Sequence, residues 1–252
     1  MRKLFFALLA GSALLLTGCL DTVQEITIKN DGTGTINNTS DMSMILSLLK
    51  QMGGEEFQKQ MPAKLDSTFS IGDGINDMEG LSDQEKALAK NGIMKINLDM
   101  SEEKLITGLS FPFNTVSEIP VINTLSGKVL SDKMEKGMKE NEENNSVDMG
   151  NSKLSSYDDY YETEYDNGSI KRKLNSEKYK TVESDEFFKG IKEAAAMGIS
   201  TKATYIFNLP RPAKEVEGEL VKLSDDKMKA TIEFDIDDFF DSPQKLEFKI
   251  KY

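Results

Sequence analysis

The feature that most constrains the fold of this 252-residue chain is a strict alternation of apolar and polar residues within short segments. The clearest example is the segment 245–252, in which every second residue is apolar. Segments 94–100 and 228–234 show the same pattern. Because successive side chains of a strand point to opposite faces of a sheet, these segments predict strands with one buried and one solvated face.

Helical signals are fewer, and most begin at a residue suited to capping a helix. We expect helical segments at 41–52, from the capping-box pattern at 82–85, from Ser184 to about 197, and at 235–240. The turns are short and no strand–helix–strand repeat is present. The sequence therefore predicts an α+β fold, with antiparallel sheets and helices packed on one face.

A hairpin is predicted at 157–174, and Asn167 and Gly168 specify its two-residue turn. That turn sets Tyr165 opposite Ile170 and, further along, places Glu162 and Glu164 opposite lysines. Opposite charges then pair on one face and mostly apolar groups lie on the other. Two independent features therefore agree on one register.

We expect one α+β domain over 25–252, because its one-sided strands in both halves need a common covering layer. The hairpin 157–174 is predicted as an insertion in this domain. The segment 135–156 is rich in acids and asparagine, so we expect a mobile acidic loop there. The segment 116–130 has a partly helical pattern that Pro120 weakens.

The N-terminus has the pattern of a signal peptide. Arg2 and Lys3 precede an almost unbroken apolar segment, 4–16. As a helix this segment spans about 20 Å, whereas the hydrocarbon core of a bilayer is about 30 Å thick. It therefore predicts a cleaved signal peptide over 1–18 rather than a membrane span.

Leu16, Thr17, Gly18 and Cys19 follow this segment and resemble the lipobox of bacterial lipoproteins. The resemblance implies cleavage before Cys19 and acylation of its sulfur and its new amino group. Residues 19–24 would then be the acylated cysteine and a short tether, and the acyl groups would bind the membrane. The alternative is an ordinary signal peptide followed by a free thiol.

Composition excludes several classes of function. The chain has no histidine, which excludes serine or cysteine triads and histidine-ligated metals. Its formal charge of −12 makes binding to the nucleic-acid backbone unfavourable. No glycine-rich phosphate loop and no cysteine–histidine metal set is present, so we expect no cofactor.

Two groups of side chains are candidates for a site. An acidic group could supply oxygen ligands to a cation, or could simply occupy the first turn of a short helix; it consists of Asp235, Asp237, Asp238 and Asp241. An aromatic group could form a binding surface, or could be a solvated hairpin face; it consists of Tyr157, Tyr160, Tyr161 and Tyr165. The sequence alone leaves both pairs of alternatives open.

Two stretches resemble a group of uncharacterised lipoproteins from Bacteroidota. The first is 26–34 leading to 41–43, and the second runs from Leu209 and Pro210 through 223–226 to 241–243. These residues are turns and strand ends, so the resemblance implies a fold and assigns no activity.

The function we predict is a lipid-anchored, non-enzymatic lipoprotein of the cell envelope that binds a protein partner or an amphiphile. The alternative is an envelope hydrolase that uses carboxylates or a bound cation. Asp21 does not directly follow Cys19. By resemblance to enterobacterial sorting, this favours the outer membrane over the inner one. We also expect a periplasm-facing domain, because the dense acid tract of some surface-exported lipoproteins is missing.

Overall fold

A computed structural model describes residues 21–44, 46, 47, 50, 61–139, 155–196 and 201–252. Within these ranges the strands are β1 (Thr22–Ile28), β2 (Gly34–Asp41), β3 (Lys64–Ser70), β4 (Ile93–Asp99), β5 (Lys104–Phe113), β6 (Tyr161–Asp166), β7 (Ser169–Leu174), β8 (Lys202–Asn208), β9 (Glu215–Glu217), β10 (Val221–Leu223), β11 (Lys229–Asp235) and β12 (Phe248–Lys251). The helices are α1 (Asp83–Ala89), α2 (Ile119–Lys139), α3 (Ser176–Tyr179), α4 (Glu186–Ala196) and α5 (Ile236–Asp241). Residues 43, 44, 46, 47 and 50 are also helical.

Eight strands form the larger sheet, in the order β10-β11-β8-β1-β2-β5-β4-β3. Its neighbours pair antiparallel except for β1 and β8, which are parallel. The predicted α+β class with large antiparallel sheets is thus confirmed, with one parallel pair that the sequence did not indicate. A parallel pair requires a long crossover, and here the connection runs over 29–201.

The inner face of this sheet is a continuous apolar layer. One row crosses five strands in register and is at most 1% exposed; it consists of Ala230, Phe207, Ile26, Ile36 and Phe111. The outer face is polar. There, the Asn208 side chain donates to Glu25 at 2.7 Å and to Thr27 at 3.0 Å. The alternation seen in the sequence therefore separates core from solvent.

Four strands form the second sheet, in the order β6-β7-β12-β9. The register predicted for the β6–β7 hairpin is confirmed, with Tyr165 opposite Ile170 and Tyr161 opposite Leu174. The hairpin is integral to the fold, because β7 also pairs with β12. The rings of Phe207 and Phe248 lie 5.6 Å apart and join the two sheets through a shared core.

The helices confirm some predicted caps and correct others. The capping box of Ser82 and Glu85 begins α1 as expected. The cap predicted for the helix at 184–197 was wrong by one residue. Asp185, and not Ser184, accepts hydrogen bonds from the first backbone amides of α4. Ser184 instead ends a short 3₁₀ turn. Within the described ranges, no helix is both long enough and apolar enough to cross a membrane.

The first residues of the segment 135–156, which was predicted to be a loop, belong instead to helix α2. The helix continues to Lys139, so 135–139 are helical, and 140–154 lie outside the described residues. Pro120 does not oppose the helix, because it lies in the first turn, where the missing amide would have no intrahelical partner anyway. Side chains of α2 reach the inner face of the larger sheet, which accords with helices packed on one face.

Residues 215–223 form two short strands that belong to different sheets. Strand β9 pairs with β12, and β10 pairs with β11. Gly218 lies between them with a φ of +130°, a conformation that interrupts a strand and that side-chain-bearing residues rarely adopt.

Two glycines of opposite surroundings provide a test of this packing. A Cβ at Gly34 would overlap the carbonyl oxygen of Thr27 and the ring of Phe113, whereas a Cβ at Gly190, on the exposed side of α4, would meet nothing. We expect Gly34→Ala to lower the free energy of unfolding by at least about 1–3 kcal/mol. Gly190→Ala should raise it by about 0.5–1 kcal/mol. Urea denaturation measures both, and equal effects of the two changes would contradict the register of β1 and β2.

Candidate functional site

The sequence-predicted acids are not gathered into a cation site. Asp235 caps α5, and its side chain accepts a hydrogen bond from the backbone amide of Asp238 at 3.0 Å. The side chain of Asp238 in turn accepts from the backbone amide of Asp235. Asp238 also lies 3.8 Å from Lys245. In the described part of the chain, no group of three or more carboxylate or thiolate residues is placed to hold a metal ion. The alternative of a helix first turn accounts for Asp237 and Asp238, with Asp235 as the cap, whereas Asp241 is the last residue of α5. Cys19 lies outside the described residues.

The predicted tyrosine group is not an exposed surface, and that interpretation was wrong. Tyr160 and Tyr161 are each 5% exposed, and Tyr165 is partly buried against the core. The ring of Tyr157 lies about 5 Å from the rings of three phenylalanines, which are Phe188, Phe234 and Phe239. The alternative of a solvated hairpin face is wrong as well, because the hairpin turns these rings inward against α4, α5 and the larger sheet.

The structure instead brings together a buried polar group that we call the Arg172 cluster: Asn123, Asp158, Thr163, Arg172 and Tyr205. It joins α2, the turn before β6, strands β6 and β7, and strand β8. The Asp158 carboxylate accepts from Nη1 of Arg172, from the hydroxyl of Tyr205 at 2.9 Å and from Nδ2 of Asn123 at 3.2 Å. The cluster thus connects both sheets and the long helix.

The guanidinium of Arg172 is enclosed almost completely. Its side chain is 2% exposed, and its central carbon lies 4.1 Å from the ring centre of Tyr161 and 4.9 Å from that of Tyr205. Cation–π contacts and the ion pair with Asp158 together restrain the orientation of the guanidinium. Nε and Nη2 of Arg172 and Oγ1 of Thr163 are buried and meet no hydrogen-bond partner within the described ranges.

A chain of side-chain amides extends the cluster across the inner face. Gln24 donates to Asn123 at 3.2 Å and to Asn38 at 3.0 Å, and Asn38 donates to Ser126 at 3.0 Å. Ser126 donates in turn to the backbone carbonyl of Ile122. Helix α2 is therefore held over β1 and β2 by hydrogen bonds within an otherwise apolar layer.

Electrostatics fix the protonation states of Arg172 and Tyr205 within the cluster. Burial raises the pKa of Tyr205 well above its ordinary value, since it disfavours the phenolate even beside Arg172. Burial alone would lower the pKa of Arg172, but Tyr205 and Asp158 raise it above its ordinary value. Arg172 is thus a fixed cation and Tyr205 a neutral hydrogen-bond donor at all physiological pH values. The cluster is suited to holding a ligand rather than to transferring protons.

A surface recess lies at one end of β3, β4 and β5. This open recess has a volume of about 330 Å³ and is lined mainly by charged side chains, among them Lys64, Asp99 and Lys104. Asp99 pairs with Lys64 at 2.6 Å and accepts from the Ser101 hydroxyl at 2.6 Å. The charge of Asp99 is therefore compensated within the recess, and we regard the Arg172 cluster as the stronger candidate.

Sequence reasoning missed the Arg172 cluster, although one signal was present. The hairpin register that placed Tyr165 and Ile170 on the apolar face also placed Thr163 and Arg172 on that face. Arg172 lies between Lys171 and Lys173, which pair with Glu164 and Glu162 on the other face of the hairpin. A charged residue at an inward position of a strand is the signal that identifies such a site.

Comparisons with known proteins add little to this description. No protein-family model and no curated protein sequence matches the chain. Among solved structures, the folded domain of LppM from Mycobacterium tuberculosis, determined by NMR, is similar with a TM-score of 0.37 and 8% sequence identity. The similarity covers 95% of this chain and 94% of that one. A TM-score this low supports no conclusion about fold or function, so the lipobox and the Bacteroidota resemblance stay predictions.

The ion pair of the Arg172 cluster predicts strong energetic coupling. Asp158→Asn should lower the free energy of unfolding by about 3–5 kcal/mol, because it leaves the buried guanidinium without a counter-charge. The double variant with Arg172→Met should cost at least about 1 kcal/mol less than the sum of the single changes. Lys171→Met is the matched control, because its exposed pair with Glu164 contributes only about 0–1 kcal/mol. Urea denaturation of the four variants measures the cycle, and additive effects would contradict the pairing.

The tyrosines predict loss of stability at alkaline pH. Burial raises the pKa of all seven above the ordinary value: Tyr157, Tyr160, Tyr161, Tyr165, Tyr179, Tyr205 and Tyr252. Since the folded state then binds more protons than the unfolded state, stability is intact below about pH 10 and falls as pH rises above it. Absorbance of tyrosinate at ~295 nm should rise only together with the loss of circular dichroism. A rise near pH 10 in a still-folded protein would show that the rings are accessible.

Proposed function

We propose that this protein is a lipid-anchored, non-enzymatic component of the cell envelope whose folded domain binds a protein partner or an amphiphile. The observation that carries the anchor is the position of Cys19, three positions before the start of β1. An apolar signal segment that ends at the chain's single cysteine, next to a folded domain, is the arrangement that lipid anchoring requires.

The short tether would orient the domain. Three residue steps span at most about 10 Å, so the first residue of β1 would stay close to the membrane surface. β1 lies within the larger sheet, where Thr22 pairs with Ser40 and Ala203. The end of the sheet at this level would therefore face the membrane, and the opposite end would point away from it. We propose the outer membrane from the sorting resemblance, in which no acid directly follows Cys19, and the periplasmic side from the missing acid tract of surface-exported lipoproteins.

Strand β3 is the part of the described surface best suited to a protein partner. It lies at the edge of the larger sheet, and within the described ranges it pairs on one side only, with β4. Phe69 on β3 is 46% exposed and Ile93 on β4 is 41% exposed. An edge strand with exposed apolar side chains can accept an extended segment of another chain through backbone hydrogen bonds. Its register places Phe69 further from the membrane end than Lys64.

Two observations favour binding over catalysis. The acidic residues on which a hydrolase would depend are engaged in capping α5, as Asp235 and Asp238 are, or in surface pairs. Arg172, the most buried charged residue in the described part of the chain, stays protonated and cannot act as a general base, while the buried carboxylates of Glu85 and Asp99 are paired with Lys128 and Lys64.

Membrane attachment is tested by Cys19→Ala in the full chain. The wild-type protein should float with membranes and incorporate labelled palmitate, and the variant should do neither, because no acyl acceptor remains. Ser12→Ala, within the apolar signal segment, is the control and should behave as the wild type. If Cys19→Ala still floats with membranes, lipid anchoring through this residue is wrong.

A further inference from the structure

We propose that Arg172 and Thr163 form an internal binding site for an oxyanion, that is, a carboxylate or phosphate group. The site stands independently of the membrane anchor. Its basis is a fully charged side chain, 2% exposed, with two nitrogen atoms that meet no acceptor among the described residues. A buried charged donor without a partner is strongly destabilising, so an acceptor oxygen is required there.

The donors are held in a fixed direction. The rings of Tyr161 and Tyr205 lie near the guanidinium, and Nη1 is engaged by Asp158. Among the described residues, the edge formed by Nε and Nη2 has no hydrogen-bond acceptor. Rigidly held donors that face no protein acceptor are typical of binding sites, because little ordering is needed when the ligand arrives.

The geometry of the free edge selects the class of ligand. Nε–H and Nη2–H of a guanidinium point in parallel and match the two oxygens of a carboxylate or phosphate. Thr163 lies directly opposite Arg172 in the register of β6 and β7, and its buried hydroxyl adds a third donor. An acceptor with two or more oxygens satisfies this set better than one with a single oxygen.

Asp158 does not exclude an anion from the site. Its carboxylate accepts from three donors, which are Arg172, Tyr205 and Asn123, and its side chain is 20% exposed. Its charge is therefore distributed over donors on its own side and partly screened by solvent.

The experiment follows the Nε–H signal of Arg172 by NMR in the full chain. The chain has three arginines, Arg2, Arg172 and Arg211, so at most three such signals occur, and Arg172→Lys assigns the one of interest. The probes are inorganic phosphate, acetate and octanoate. A saturable shift of the Arg172 signal with any of them supports the site. A shift with phosphate alone would identify a phosphoryl ligand. A shift with acetate would identify a simple carboxylate, and a shift with octanoate alone would identify an amphiphile.

The variants separate this site from binding at the surface. Thr163→Val keeps the shape of the side chain and should weaken binding of the probe about threefold or more. Arg172→Lys removes the reporting signal and serves only to assign it. Lys171→Gln, the outward neighbour, should leave it unchanged. If Arg172→Lys fails to fold, the wild-type signal and Thr163→Val decide. No shift with any probe, or a shift that Thr163→Val leaves unaltered, would overturn the proposal and assign the edge to internal water.

Discussion

The rest of this structure depends on the ion pair between Arg172 and Asp158 inside the core. A guanidinium that is 2% exposed is tolerated only where a counter-charge and further hydrogen bonds compensate for lost hydration. Meeting that requirement brings β7, the turn before β6, strand β8 and helix α2 to one place, since each supplies a side chain to the pair. The two sheets and the helix therefore have one relative position in which this charge is satisfied.

In the apolar core around the pair, tyrosine hydroxyls also have hydrogen-bond partners. The core is rich in tyrosine and phenylalanine, and the tyrosine hydroxyls reach acceptors: Tyr160 donates to Asp185, Tyr161 to the carbonyl of Pro243, Tyr179 to that of Phe239 and Tyr252 to that of Asp166. Each ring thus contributes apolar area while its polar tip is paired. Against this background, the unpaired edge of Arg172 and the hydroxyl of Thr163 stand out, and they are the basis of the proposed oxyanion site.

Anchor and domain combine into one functional proposal. A tether of two residues between Cys19 and β1 would leave the domain little freedom to tilt, so the surfaces far from the start of β1 would be the ones presented to a partner. In this proposal the β3 edge would bind a protein partner, and the Arg172 cluster would bind an oxyanion such as the head group of an amphiphile. These two sites lie on different elements, so partner binding and ligand binding are separable by mutation.

The sequence by itself determined the local structure. Alternation of apolar residues located most strands and their buried faces, and the Asn167–Gly168 turn specified the β6–β7 register, because both effects act between residues close in the chain. The tertiary structure decided what depends on distant segments: the parallel pairing of β1 with β8, the division of 215–223 between two sheets at Gly218, and the burial of Arg172 beside Asp158. These features arise from contacts that form only when the two sheets pack together. The tyrosines show the difference, since their spacing indicated a cluster but only the packing of α4 and α5 against the hairpin showed that it was core.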